Sequence, residues 1–146
     1  MEEKNLVIGL WTIIGIGLVF AAYLLFGSQD TIAASNVPAA APGSIVRTGT
    51  TDDGDVSVDL TPLGITDGHL VFDMAINTHS VDLSGIDLTR AAQLEYNGKK
   101  VYADGAPQLG GHHIYGGLTF PVEGTPQSFT VTIKGIPKQQ ERVFRW

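Results

Sequence analysis

The chain has 146 residues, a formal net charge of −6 and no cysteine. An acidic balance argues against nucleic acid as a partner, because gripping a phosphate backbone needs a basic face. Without thiols there is neither a disulfide framework nor a thiolate metal centre.

Residues 1–4 precede a stretch without a charged residue between Lys4 and Asp30, and Leu6 to Phe26 reads LVIGLWTIIGIGLVFAAYLLF. At about 1.5 Å per helical residue this run reaches about 30 Å, the thickness of a bilayer's hydrocarbon core. No water satisfies the backbone there, so the run must be helical. The sequence thus predicts a transmembrane helix over residues 5–26. A cleaved signal peptide fits less well, since its apolar core is about 7–15 residues with a small-residue site close behind. Here Ala33-Ala34-Ser35 lies well past the run, and Ala39-Ala40-Ala41 is followed by Pro42. Lys4 precedes the run, whereas Gly27 to Ile45 has no Lys or Arg. This asymmetry predicts a cytoplasmic N-terminus and an extracytoplasmic remainder, in the periplasm or at the cell surface. Gly17 and Ala21 form a small-xxx-small pair that lets a second helix approach closely.

Residues 27–53 read as a linker, with a small, uncharged, Pro-containing stretch from Ala34 to Ser44. Such a composition favours an extended spacer. Asp52-Asp53-Gly54-Asp55 lacks the ligand alternation of a calcium loop and reads as a solvated turn.

Residues 54–146 carry strand signals: Val56 to Leu60, His69 to Ile76, Gln93 to Tyr96, Lys100 to Ala103, Gly117 to Phe120, Ser128 to Ile133 and Arg142 to Trp146. Asn97-Gly98, between two of them, is a strong hairpin signal. A helical turn is expected near Leu88 to Ala92. About seven short strands broken by Gly, Pro and Asp predict a mainly β fold after the N-terminal helix, an Ig-like antiparallel β-sandwich. Alternation puts Val56, Val58, Leu60, Leu70, Phe72, Leu94, Val101, Leu118, Phe120, Phe129, Val131, Ile133, Val143 and Trp146 in the core.

Three of the four histidines fall in predicted loops: His79 after a strand, and His112 and His113 behind Gly110-Gly111. Imidazole suits zinc and copper. If the two loops meet, His79, His112 and His113 form a three-nitrogen site. Asp82 would then orient a ring through its second nitrogen, and Met74 would be an extra soft ligand for copper. Against this, neighbours in an extended segment point to opposite faces, so His112 and His113 converge only if the glycines twist the chain. Loop histidines also serve as hydrogen-bonding plugs. Ser80, beside His79 and Asp82, belongs to no triad, since neighbours in sequence rarely achieve that geometry. No nucleophile elbow, phosphate loop or dinucleotide fingerprint is present, so no catalytic activity is expected.

The succession Phe72 to Leu83, then Gly110-Gly111-His112-His113, then Arg142 to Trp146, resembles an uncharacterised group of exported, membrane-anchored prokaryotic β-sandwich domains. The resemblance implies a domain over about Val56 to Trp146 and a pairing of the histidine loops, but supplies no reaction. The sequence therefore points to a membrane-anchored extracytoplasmic binding domain with copper or zinc as its ligand. The alternative is a non-catalytic accessory or structural subunit of a membrane or surface assembly, including a pilin-like filament subunit. That alternative implies membrane or surface protein partners or self-association.

Overall fold

The computed structural model describes residues 39–146. The expected transmembrane helix over 5–26, its packing pair Gly17 and Ala21, and linker residues 27–38 lie outside the described residues. Among the described residues no helix is long and apolar enough to cross a membrane.

These residues are mainly β. The strands are β1 (Val46–Thr48), β2 (Ser57–Thr66), β3 (His69–Asn77), β4 (Ala92–Tyr96), β5 (Lys99–Tyr102), β6 (His113–Pro121), β7 (Phe129–Lys134) and β8 (Glu141–Arg145), with one short helix, α1 (Leu88–Ala91). They form two four-stranded antiparallel sheets, in the orders β1-β2-β3-β6 and β5-β4-β7-β8. Leu60, Phe72, Leu118, Leu94, Val131 and Phe144 are fully buried in one core. Phe72 of the first sheet has its ring centroid 5.8 Å from Phe129 and 5.4 Å from Trp146, which belong to the second sheet's side. Apolar residues at every second position produce this arrangement, since alternate side chains of a strand share a face.

The hairpin between β4 and β5 turns at Asn97 (φ 46°) and Gly98 (φ 74°), the two positive φ values of a type I′ turn. β2 carries a bulge between Pro62 and Gly64, so Leu63 is left out of the register. Pro62 is tolerated because β1 pairs only with Val58 to Leu60, leaving the rest of β2 an edge on that side.

Three differences from the sequence reading have physical causes. Val46–Thr48, within the stretch read as linker, is a strand, held by an ion pair in which Arg47 Nε donates to Asp59 Oδ1 at 2.6 Å. In β8, Arg142 and Phe144 point inward while Val143 is half-buried. Trp146 is buried too, so alternation from it selects 144 and 142 rather than 143. Val101 and Phe129 pack against the core while remaining half-buried.

Arg142 is the largest fully buried side chain. Its Nη2 donates to Asp55 Oδ1 and to Pro137 O, both at 3.2 Å, linking β8 to the start of β2. Asp55 also accepts from Val56 N at 2.8 Å and from Thr50 N at 3.0 Å. These bonds, the Val56 N–H foremost, outweigh desolvation and hold the Asp55 carboxyl down at about 2.

Two sheet edges are occupied. Asp104 N donates to Thr119 O, and Thr119 N to Gly105 O, so the segment after β5 lies along β6. Ala40 N donates to Arg145 O on β8.

Candidate functional site

Register places the histidine loops. Ser57 of β2 pairs with Asn77 of β3, and Asn77 with His113 of β6. These residues mark the distal end of the first sheet. The opposite, root end holds Thr66, His69 and Pro121. The ten residues of β2 separate the two ends by about 30 Å. The described chain begins at the root end, and the β3–α1 and β5–β6 connections reach the distal end.

These two connections meet there. Thr78 N donates to His112 O at 2.9 Å, and the buried Thr78 hydroxyl donates to Asp55 O at 2.9 Å. Thr78 thereby ties both loops to the Asp55–Arg142 linkage beneath them. The rings of His79 and His113 stand with centroids 6.5 Å apart, nearly perpendicular at 77°. Two imidazoles on one tetrahedral ion with bonds near 2.0–2.1 Å have centroids about 5 Å apart, so a small side-chain adjustment separates this pair from that spacing.

His113 Nδ1 lies 2.8 Å from Asn77 Oδ1. The amide oxygen only accepts, so Nδ1 carries the proton and Nε2 presents its lone pair. Sequence reasoning missed Asn77, which performs the orienting role assigned to Asp82. Asp82 instead accepts from Ser84 N at 2.9 Å, closing its own turn, and that bond lowers its pKa. His112 is exposed on the loop, just after Gly111 at φ 84°, where the chain turns. Met74 is fully buried in the core. Among the described residues no group of three or more His, Cys, Asp or Glu side chains is disposed to hold a metal. The structure thus brings His79, His113 and Asn77 together, and leaves His112, Asp82 and Met74 apart from them.

The same connections enclose a groove of about 640 Å³ lined by Ser84 to Thr89 and Ala106 to Leu109, a size typical of ligand sites. Its floor is set by Leu88 and Leu109, both buried. Asp87 caps α1: its Oδ1 accepts from Thr89 Oγ1 at 2.7 Å and from Thr89 N at 3.0 Å. The Thr89 hydroxyl, then its N–H, lower the Asp87 pKa. Sequence reasoning marked this region only by the helical turn expected near Leu88 to Ala92.

The fourth histidine lies at the root end. His69 Nε2 sits 2.7 Å from Asp104 Oδ2, and its Nδ1 2.9 Å from Asp67 O. Both nitrogens are thus engaged in tying a hairpin to the β5–β6 connection.

Comparison of the chain with family models, with curated proteins and with solved structures finds no match.

Proposed function

We propose that the chain is a membrane-anchored extracytoplasmic binding domain of Ig-like sandwich architecture, without catalysis of its own. In this reading it presents the distal loops to a transition metal, copper or zinc. The observation that carries it is the His79–His113 pair, with Asn77 holding the His113 ring in the tautomer that offers Nε2. His112, exposed one residue away, completes the ligand set when its side chain turns toward the pair. A ligating histidine whose second nitrogen is fixed by a hydrogen-bond partner is the usual arrangement at metal sites.

The test is an equilibrium titration of the detergent-solubilised full chain with Zn(II) and Cu(II). His79→Ala and His113→Ala should each abolish binding or weaken it at least tenfold. Asn77→Ala should weaken it by about 10–100-fold through the lost orientation of His113. No binding by the parent, or equal binding by parent and variants, refutes the proposal.

The groove between the two connections supports a second reading, an accessory subunit of a membrane or surface assembly that seats a partner segment there. Size analysis of the solubilised full chain checks it, and a strict monomer in native membrane extracts refutes it.

A further inference from the structure

We propose that the root end of the domain carries a second, separate binding surface, an apolar patch that seats on the bilayer itself. This rests on the reading of residues 5–26 as a membrane anchor.

The patch has three parts. Leu63 is 66 % exposed, Ile45 61 % and Ile65 38 %. Beside them a shallow groove of about 350 Å³ is lined by ten residues, none of them charged, including Pro42, Pro62, Leu70, Pro126 and Phe129. Leu63 owes its exposure to the β-bulge, which skips it between Pro62 and Gly64, the latter at φ 118°. Bulges re-aim side chains, and here one turns a leucine out to solvent. Leu63 and Ile65 line the groove together, which marks an interaction surface rather than scattered exposure.

The covalent path of the chain identifies the occupant. Pro42 and Gly43 line the groove, only a few residues after the first described position. Fifteen residues, 27–41, separate Pro42 from the end of the apolar run at Phe26. A chain of that length reaches at most about 50 Å. The patch is therefore confined close to the bilayer surface, at a high effective concentration there. Weak insertion by three aliphatic side chains then suffices, whereas a free partner would need a larger surface. The groove's own lining carries no charge, and the exposed Asp67 stands in the turn two residues beyond Ile65. Docking is thus apolar rather than electrostatic, and the suitable surface is a neutral one. With the root seated on lipid, the histidine loops about 30 Å away at the other end of β2 are held outward.

The chain has no cysteine, so Leu63→Cys and, at the far end of β7, Gln139→Cys each give a single site for a nitroxide. The full-length chain is reconstituted in phosphatidylcholine vesicles, and the label's accessibility to oxygen is compared with that to a water-soluble nickel chelate. Oxygen should dominate at position 63 and nickel at position 139. In the double variant Leu63→Asp, Ile65→Asp, a label at Ile45→Cys should lose its oxygen preference while thermal unfolding of the domain is unchanged. A chain that resists carbonate extraction yet shows nickel dominating at position 63 overturns docking and leaves the anchor reading intact. A chain released by carbonate overturns both. Shelter at position 63 with dipolar broadening that vanishes on dilution with unlabelled chain identifies a second copy as the occupant, which also overturns docking on lipid.

Discussion

Asp55→Asn is the substitution with the most to reveal about how the two sheets are joined. Arg142 has a side-chain exposure of 0 % and Asp55 of 8 %, with 3.2 Å between Nη2 and Oδ1. Nε and Nη1 of Arg142 have no hydrogen-bond partner, so its desolvation is offset mainly by this carboxylate and by Pro137 O. Val56 N–H and Thr50 N–H bond different oxygens of Asp55, so asparagine keeps an acceptor for only one of them and leaves the guanidinium buried without a counter-charge. Removing one member of a buried pair costs about 3–5 kcal/mol, and about 3 kcal/mol is expected here at pH 7. The depressed carboxyl adds a pH signature. A fall from 3.8 to about 2 corresponds to about 2 kcal/mol, or about 1–2 after screening at the edge of the core. This contribution is complete above the unfolded carboxyl's 3.8 and is lost as pH falls through about 2, because only there does the folded state take up the proton. The gap between parent and Asp55→Asn should therefore narrow between pH 5 and pH 2. Since the Val56 N–H is the largest cause of the shift, Arg142→Met alone should keep most of this acid step. The pair replacement Asp55→Asn, Arg142→Met should return to within about 1 kcal/mol of the parent. The assay is urea unfolding of the solubilised full chain followed by Trp146 fluorescence in a Trp11→Phe background. A cost below about 1 kcal/mol for Asp55→Asn at pH 7, well short of the range for a broken buried pair, would refute the reasoning. A gap that stays constant with pH would do the same.

Two further outcomes follow from the packing. Gly49 has φ 73°, and a Cβ there would lie 2.1 Å from Val56 O and 2.2 Å from Arg142 Nη1. Gly49→Ala should cost about 3 kcal/mol in the same urea assay, whereas Gly124→Ala, with φ 71° and open space around it, should cost about 1 kcal/mol. Phe144→Ala should cost about 3–5 kcal/mol as an emptied core site. Val143→Thr, on the outer face opposite Thr132, should stay within about 1 kcal/mol; comparable losses for the two would reverse the assigned faces of β8.

Alternation made β2, β3, β4 and β7 legible, because each buries one face and polar residues mark the other. The Asn97-Gly98 turn was equally readable, since few sequences accept two positive φ values in succession. β1 was not, because Val46-Arg47-Thr48 has no period of its own and becomes a strand only through Asp59 and the backbone of β2. Pro62 and Gly64 hid the second half of β2, which survives as an edge. The parity of β8 was recoverable, given that Val143 and Trp146 cannot share a face, but a buried arginine runs against every composition rule. At the site, the meeting of the two histidine loops follows from the pairing of β3 with β6. Asn77 escaped notice because an amide that fixes a tautomer has no spacing signature, and Met74 drew attention by its sulfur although its strand position assigned it to the core.

The segment laid along β6 has a bearing on self-association. Asp104 and Gly105 occupy the backbone groups of Thr119, and Pro107 stands where a Cβ on Gly116 would lie 2.8 Å from its ring. A proline there offers no N–H to a visiting strand. On the other sheet, Ala40 takes up Arg145 O on β8, while Lys99 and Lys100 stand exposed on β5. The β5, β6 and β8 edges of such domains are thus guarded against zipping into a continuous sheet, and a strand added from a neighbour is left with the free edge of β2 beyond β1, where Pro62 and the bulge interrupt the ladder.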